Sequence, residues 1–270
     1  MKFYLTYLFG LAFLVAIGAS FNSQLANADE ITVPIIAFDD DAEEDITGPD
    51  AGNVRRSSSD LEIGNENGVL QWVGLRFQNI MIPADSTINS ATITFTGAET
   101  DVGVLIIPIV GEREVDGEAF SDLTPLTGRN LTNASVTWNI DPWFPGDNGT
   151  NTTTVDLSPI VQEIVNQSGW LPGGPIVFLI QNDPVDTSER LCVAFDGNPT
   201  QAAVLNVDFT PAKGVLLGDV NLDGVVNLLD VGPFVTLLTR GGFQAEADIN
   251  QDGSVNLLDV SGFVEIISGG

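Results

Sequence analysis

The sequence contains no histidine and only one cysteine, Cys192. Without histidine, Ser-His-Asp and Cys-His catalysis and every histidine-ligated zinc or iron site are excluded. A single cysteine also excludes an intramolecular disulfide. Because Cys192 stands within the apolar segment 191–195, we expect a buried, unreactive thiol. Chemistry based on two carboxylates survives these exclusions, so a glycoside hydrolase or lyase stays among the alternatives.

Basic residues are also scarce. Nine lysines and arginines stand against 37 aspartates and glutamates, for a formal net charge of −28. Nucleic acids and anionic membrane surfaces are themselves polyanions and would repel such a chain. The charge therefore argues against both partners and favours a protein that binds cations.

The N-terminus has the pattern of a secretory signal. Lys2 precedes an apolar run over residues 3–19, and Ala-Asn-Ala at 26–28 fits cleavage before Asp29. We predict that residues 1–28 are a signal peptide and that the protein is secreted or held at the cell surface, with no membrane span after cleavage. The alternative is an uncleaved anchor, since the apolar run approaches the length of a spanning helix.

Residues 29–210 predict an all-β, antiparallel sandwich. In the clearest run, residues 88–96, Ala91, Ile93 and Phe95 share one face of a strand. Similar runs occur at 31–38, 69–77, 104–110, 135–140, 175–181, 190–195 and 203–209. Turn residues separate them, which favours a sandwich over βαβ units. The segment 158–165 predicts one helix, with Ser158 as its N-cap.

The run Trp-Val-Gly-Leu-Arg-Phe at 72–77, followed by the segment 82–93, resembles the signature of the disaggregatase-related, DNRLRE-type carbohydrate-binding modules. The resemblance implies a jelly-roll sandwich. Since several members bind acidic or neutral polysaccharide, it also implies polysaccharide as a partner.

Aromatic side chains are the candidates for sugar contact, because rings stack on sugar faces. Trp72 and Trp138 lie in strand patterns and Trp170 follows the helix, so we interpret all three as packing residues. Trp143 and Phe144, in the loop 141–147, are the predicted sugar contacts.

The acidic run 39–45 has two interpretations. Its clustered carboxylates suit a further structural calcium ion at the edge of the sandwich. The alternative is a solvated loop.

The C-terminal segment repeats a calcium-loop pattern. D-x-N-x-D-G-x-x-N-x-x-D begins at Asp219 and again at Asp248, 29 residues later. A twelve-residue calcium loop needs oxygen ligands at positions 1, 3, 5, 9 and 12, a carbonyl at 7 and glycine at 6. Both copies meet each requirement, which predicts two calcium ions.

Each loop leads into an apolar, helix-patterned stretch, at 228–238 and 257–267, but no helix enters either loop. With aspartate at position 12, this resembles the dockerin family, tandem modules that dock extracellular proteins onto cohesin partners. We expect a linker at 211–217 and the module at 218–270.

The resemblance implies the calcium ligands of both loops by position. These are Asp219, Asn221, Asp223, the Val225 carbonyl, Asn227 and Asp230, then Asp248, Asn250, Asp252, the Ser254 carbonyl, Asn256 and Asp259. From residue 214 onward there are eight acids and one arginine. Because the core is small and like charges converge, we expect the calcium-free module to be mostly unfolded.

Loop positions 10 and 11, usually polar in dockerins, are Leu-Leu in both copies, at 228–229 and 257–258. Either the partner, a cohesin-like or other extracellular protein, presents an apolar surface, or one leucine of each pair belongs to the core. The near-identity of the copies also suggests two equivalent docking orientations.

Taken together, these patterns favour a secreted, non-catalytic protein in which a sandwich, with the polysaccharide binding that the resemblance implies, carries a calcium-dependent docking module. One alternative is a calcium-dependent adhesion or aggregation protein. Another is a carboxylate-based glycoside hydrolase or lyase.

Overall fold

A computed structural model describes residues 29–182, 188–212, 214, 216–250 and 252–268. The predicted signal peptide, 1–28, lies outside these residues. The chain divides into two compact units between residues 214 and 215, within the segment expected to be a linker. Along the described residues, no helix combines the length and the apolar composition needed to cross a bilayer.

The first unit is built almost entirely of β-strands. Its described strands are β1 (Asp29–Pro34), β2 (Asp41–Asp45), β3 (Val54–Arg55), β4 (Asp60–Glu66), β5 (Val69–Phe77), β6 (Thr87–Thr94), β7 (Leu105–Glu112), β8 (Leu131–Ile140), β9 (Ile176–Ile180), β10 (Glu189–Val193) and β11 (Val204–Thr210). Its helix is α1 (Ser158–Val165). The predicted strands are all present, whereas the acidic strands β2 and β4 and the short β3 were not predicted.

The strands form two sheets, and each described pairing is antiparallel. The first sheet has the order β1-β11-β6. The second has the order β10-β4-β5-β9-β7-β8, with β2 pairing β5 and β3 at its side. A bridge between Gly97 and Cys192 joins β10 to the chain just beyond β6. The antiparallel β class is therefore confirmed.

The main core takes the side chains that alternate inward from both sheets. It includes Ile93, Phe95, Ile107, Phe178 and Leu205, all fully or almost fully buried. Cys192 is buried in the same core, as predicted, and its burial raises the pKa of the thiol. Trp138 and Trp170 are buried too, which confirms that they are packing residues.

A second, smaller core lies on the outer face of the second sheet. There Phe120 and Leu126, from the segment between β7 and β8, pack against residues that include Val110 and Leu179. Gly74 lies beneath this cover, and a Cβ atom there would come within 2.5 Å of the Phe120 ring. Glycine at position 74 is what allows the segment to approach the sheet.

Helix α1 begins at Ser158, so this residue is the first of the helix and not its N-cap. The N–H of Ser158 donates instead to the Asp156 carboxylate, at 3.0 Å. The apolar face of the helix, which includes Ile160 and Ile164, is fully buried against β6, β7 and β8. These strands belong to different sheets, so the helix joins the two layers of the sandwich.

The second unit contains helices α2 (Val231–Arg240) and α3 (Val260–Ser268). The rings of Phe234 and Phe263 stack with centroids 3.9 Å apart and planes inclined by 9°. Val220 and Ala247 complete the buried core. Because so few side chains are buried, the packing of this unit depends on the contact between its two helices.

Candidate calcium and docking site

The residue at position 1 of the first loop folds the loop back on itself. The Asp219 carboxylate accepts the N–H of Asp223 at 3.0 Å and that of Gly224 at 2.9 Å. Gly224 has φ = +89°, a left-handed conformation that glycine adopts without strain. The carboxylate at position 1 is therefore held at the centre of the turn.

The residue at position 12 closes the loop from the other end. One carboxylate oxygen of Asp230 accepts the N–H of Asn221 at 3.0 Å, and the other accepts that of Asn227 at 2.8 Å. Asn227 in turn accepts the N–H of Leu229 at 2.7 Å and caps the turn that leads into α2. Positions 1 and 12 thus bring both ends of the loop together.

The second loop repeats this geometry. Asp248 accepts N–H groups of Asp252 and Gly253 at 3.1 and 2.9 Å. Asp259 accepts those of Asn250 and Asn256 at 3.1 and 2.9 Å. The two copies fold alike because every residue that makes these bonds is local to its own loop.

The chemistry of the loops fits calcium. The terminal aspartates, which include Asp230, Asp248 and Asp259, are buried, and these three make no ion pair among the described residues. Burying a carboxylate is costly unless its charge is compensated. Among the described residues, no three acidic side chains lie close enough together to hold a metal ion by themselves. A calcium ion here would need the asparagine and carbonyl oxygens as well, in the mixed set that hard cations accept.

The paired leucines at positions 10 and 11 of the loops are exposed. Leu228, Leu229, Leu257 and Leu258 have exposed fractions of 76, 68, 80 and 69%. The interpretation that one leucine of each pair belongs to the core is therefore wrong. Two similar apolar surfaces, one in each copy, remain open for contact.

The geometry defines a small tandem module in which two calcium-type loops each lead into one helix. Residues 217–263 match the family model described as Dockerin type I domain. This supports the predicted dockerin-like module, with its dependence on calcium and its role in protein docking. No curated protein matches the chain significantly. The match covers the C-terminal module alone, so the carbohydrate-binding resemblance of the sandwich and its jelly-roll topology stay predictions.

The prediction that Trp143 contacts sugar is wrong. Trp143 is fully buried, with its ring packed against Phe95 and Trp138 at centroid distances of 5.8 and 6.0 Å. Its indole N–H donates to the Asn151 carbonyl at 2.9 Å. The neighbouring Phe144 is 49% exposed, and its contact with sugar stays a prediction.

The acidic run 39–45 contains β2, a buried strand, so the expectation of a solvated loop is wrong. Asp40 pairs with Arg76 at 2.8 Å, and Asp45 pairs with Arg55 at 2.8 Å. Asp41 accepts the N–H of Phe195 at 2.7 Å. Because arginine and backbone groups compensate these acids, a further calcium ion at this edge is left without support.

Two glutamates of this region remain poorly compensated. Glu43 accepts the N–H of Glu62 at 2.5 Å, and each side chain has one buried oxygen without a hydrogen bond among the described residues. Burial, together with the carboxyl of Glu62, raises the pKa of Glu43 to about 10. Burial also raises the pKa of Asp41 to about 7. These carboxyls hold their protons in the fold at pH values where free carboxyls are ionised.

Proposed function

We propose that this is a secreted, non-catalytic protein whose C-terminal module docks onto an extracellular or cell-surface partner in the presence of calcium. The observation that carries the proposal is the repeated calcium-type loop with an exposed leucine pair at its positions 10 and 11. We further propose that the sandwich is the cargo of this module and binds polysaccharide.

Calcium stabilises the module by compensating the charge of its two loops. The ligands would be Asp219, Asn221, Asp223, the Val225 carbonyl, Asn227 and Asp230 in one loop, and Asp248, Asn250, Asp252, the Ser254 carbonyl, Asn256 and Asp259 in the other. Two ions would offset four negative charges. Without them, repulsion among buried carboxylates opposes a core built on little more than the stacked Phe234 and Phe263.

The leucine pairs supply the docking energy. Burial of one exposed leucine side chain contributes about 1.5–3 kcal/mol, so burial of one pair contributes about 3–6 kcal/mol to a specific contact. The pairs point to a cohesin-like or other protein with an apolar surface. Since the two copies are equally exposed, we propose two equivalent docking orientations, with one pair engaged in each.

The test uses the mature chain as bait for proteins of the culture supernatant, with calcium and with chelator. We expect calcium-dependent capture of a defined partner. The single-pair variants Leu228→Asp/Leu229→Asp and Leu257→Asp/Leu258→Asp should each still capture it, whereas the variant with all four substitutions should not. Capture of the same proteins with and without calcium would contradict the docking proposal.

A calcium-dependent adhesion protein is the alternative for the sandwich. Glycan arrays and cell-aggregation assays, each with and without chelator, separate the two functions. Binding to a defined glycan supports the polysaccharide proposal, and aggregation without glycan binding supports adhesion. Polysaccharide breakdown that is lost on substitution of a single acid in residues 30–210 would favour the hydrolase alternative instead.

A further inference from the structure

The outer face of the second sheet is covered over only part of its area. Phe120 and Leu126 lie over the part that contains Gly74 and Leu179. The next one or two outward-facing residues along these strands lie beyond this cover. We call them the open face, which comprises Trp72, Ile106, Pro108, Thr137, Asn139 and Gln181.

The register of the strands puts these residues side by side. Val73 pairs with Ile180, so the neighbouring Trp72 and Gln181 stand opposite one another. The N–H of Gln181 donates to the Pro108 carbonyl at 2.9 Å, and Pro108 pairs with Thr137. The row therefore crosses β5, β9, β7 and β8, and three spacings between strands give it a length of about 14 Å.

The side chains of this row point away from the main core. Val73, Ile180 and Trp138 face that core, and successive side chains of a strand point to opposite faces. Ile106 pairs with Asn139 in the adjacent row of the same face and is 42% exposed. The open face is thus a continuous strip of surface.

The indole of Trp72 is held in place at one end of the strip. It packs against the second core, as its strand pattern predicted, but it is only half-buried. Its Nε1–H donates to the Asn182 side-chain oxygen at 3.1 Å. A ring fixed in this way loses little conformational freedom when a ligand contacts it.

The composition of the open face is unusual for this chain. None of its six residues is charged, although the chain carries 37 acids. It combines an indole with the exposed hydroxyl of Thr137 and the exposed amide of Asn139. Rings contact the apolar faces of sugars, while hydroxyls and amides both donate and accept hydrogen bonds. A negatively charged glycan would be repelled by the acidic surroundings.

We propose that the open face binds a neutral polysaccharide, with the sugar chain lying across the four strands and one ring stacked on Trp72. This deepens the proposed polysaccharide-binding function of the sandwich and rests on it. It also places the sugar contact on the sheet and not on the loop that carries Phe144.

The test is isothermal titration of the mature chain with mixed-linkage β-glucan, galactomannan and alginate as the probes, the last being acidic. We expect binding to at least one neutral polymer. Trp72→Ala should weaken it about tenfold, the equivalent of a lost stacking contact. Because Trp72 also packs on the second core, Thr137→Glu is the second variant. It adds a charge at an exposed position and should weaken binding without affecting the fold. Phe144→Ala tests the competing site on the loop, and Leu171→Ala, at an exposed apolar residue outside both sites, is the matched control.

The outcomes separate the two proposals. Loss of neutral-glycan binding in Trp72→Ala and Thr137→Glu, with Leu171→Ala and the loop variant Phe144→Ala unchanged, supports the open face. Unchanged binding in both open-face variants overturns this site and leaves polysaccharide binding intact elsewhere on the sandwich. Binding to alginate alone overturns the neutral specificity. Failure of the unmodified chain to bind any of the three overturns the function for these polymers and the site with it.

Discussion

Replacement of Asp230 by asparagine tests whether position 12 closes the calcium loop. The Asp230 carboxylate is buried and accepts two N–H groups, at 3.0 and 2.8 Å. An asparagine side chain has one acceptor oxygen, so its amide group would face one of these N–H donors. The substitution also removes one negative charge from the proposed calcium ligands.

The size of the effect follows from these contacts. A buried donor left without a partner costs about 1–3 kcal/mol. Since about 1.4 kcal/mol corresponds to a factor of ten in affinity, we expect calcium to bind the altered loop about ten to a hundred times more weakly. Asp259→Asn should give the same loss in the second loop, because its two hydrogen bonds have nearly the same lengths.

Calorimetric titration of the mature chain with calcium measures the result. The unmodified chain should show two strong sites, and Asp230→Asn only one. All four tryptophans, at positions 72, 138, 143 and 170, lie in the first unit. Their fluorescence should therefore stay unchanged and serve as the control for the fold of the first unit. Two sites of unchanged affinity in Asp230→Asn would show that the carboxylate at position 12 is not a ligand.

Three further predictions concern stability. The pKa of Glu43 in the fold, about 10, lies above its ordinary value of 4.5. Its contribution to the free energy of unfolding is therefore full below pH 4.5 and declines as the pH rises towards 10. The urea concentration at the midpoint of unfolding, followed by tryptophan fluorescence, should decrease as the pH is raised from 5 to 9. An equally steep decrease in Glu43→Gln would refute the assignment of this pH dependence to Glu43. Gly74→Ala should lower the free energy of unfolding of the first unit by about 1–3 kcal/mol, because its Cβ would meet the Phe120 ring; an unchanged urea midpoint would show that the cover moves freely. Phe234→Ala should cost about 3–5 kcal/mol and abolish the helical circular dichroism of the module, while the exposed Val235→Ala should have little effect. A folded module in Phe234→Ala would contradict the central role of the ring stack.

The turns of the two C-terminal loops were predictable because their geometry is local. The hydrogen-bonding partners of Asp219 and Asp230 lie within the same twelve residues, so spacing alone predicts the turn and the convergence of its ends. The strands with alternating apolar residues were predictable for a similar reason, since one buried face imposes a period of two.

The buried acidic strand β2 could not be predicted from its own residues. The run 39–45, which contains this strand, is rich in carboxylates, and such a run indicates solvent exposure unless the groups that compensate its charges are known. Those partners, Arg55 and Arg76, come from other strands and meet Asp45 and Asp40 only after the sheet has formed. Such long-range compensation leaves no periodic signal.

The sequence by itself determined the antiparallel β class of the first unit, the dockerin-like loops of the second and the absence of histidine chemistry. The tertiary structure alone decided which tryptophan side chains are exposed at the surface. It buried Trp143 against Phe95 and placed Trp72 on the outer face, at the edge of the segment that carries Phe120. It also left both leucines of each pair exposed. The physical reason is that exposure depends on which elements cover a residue, and those elements are distant in the chain.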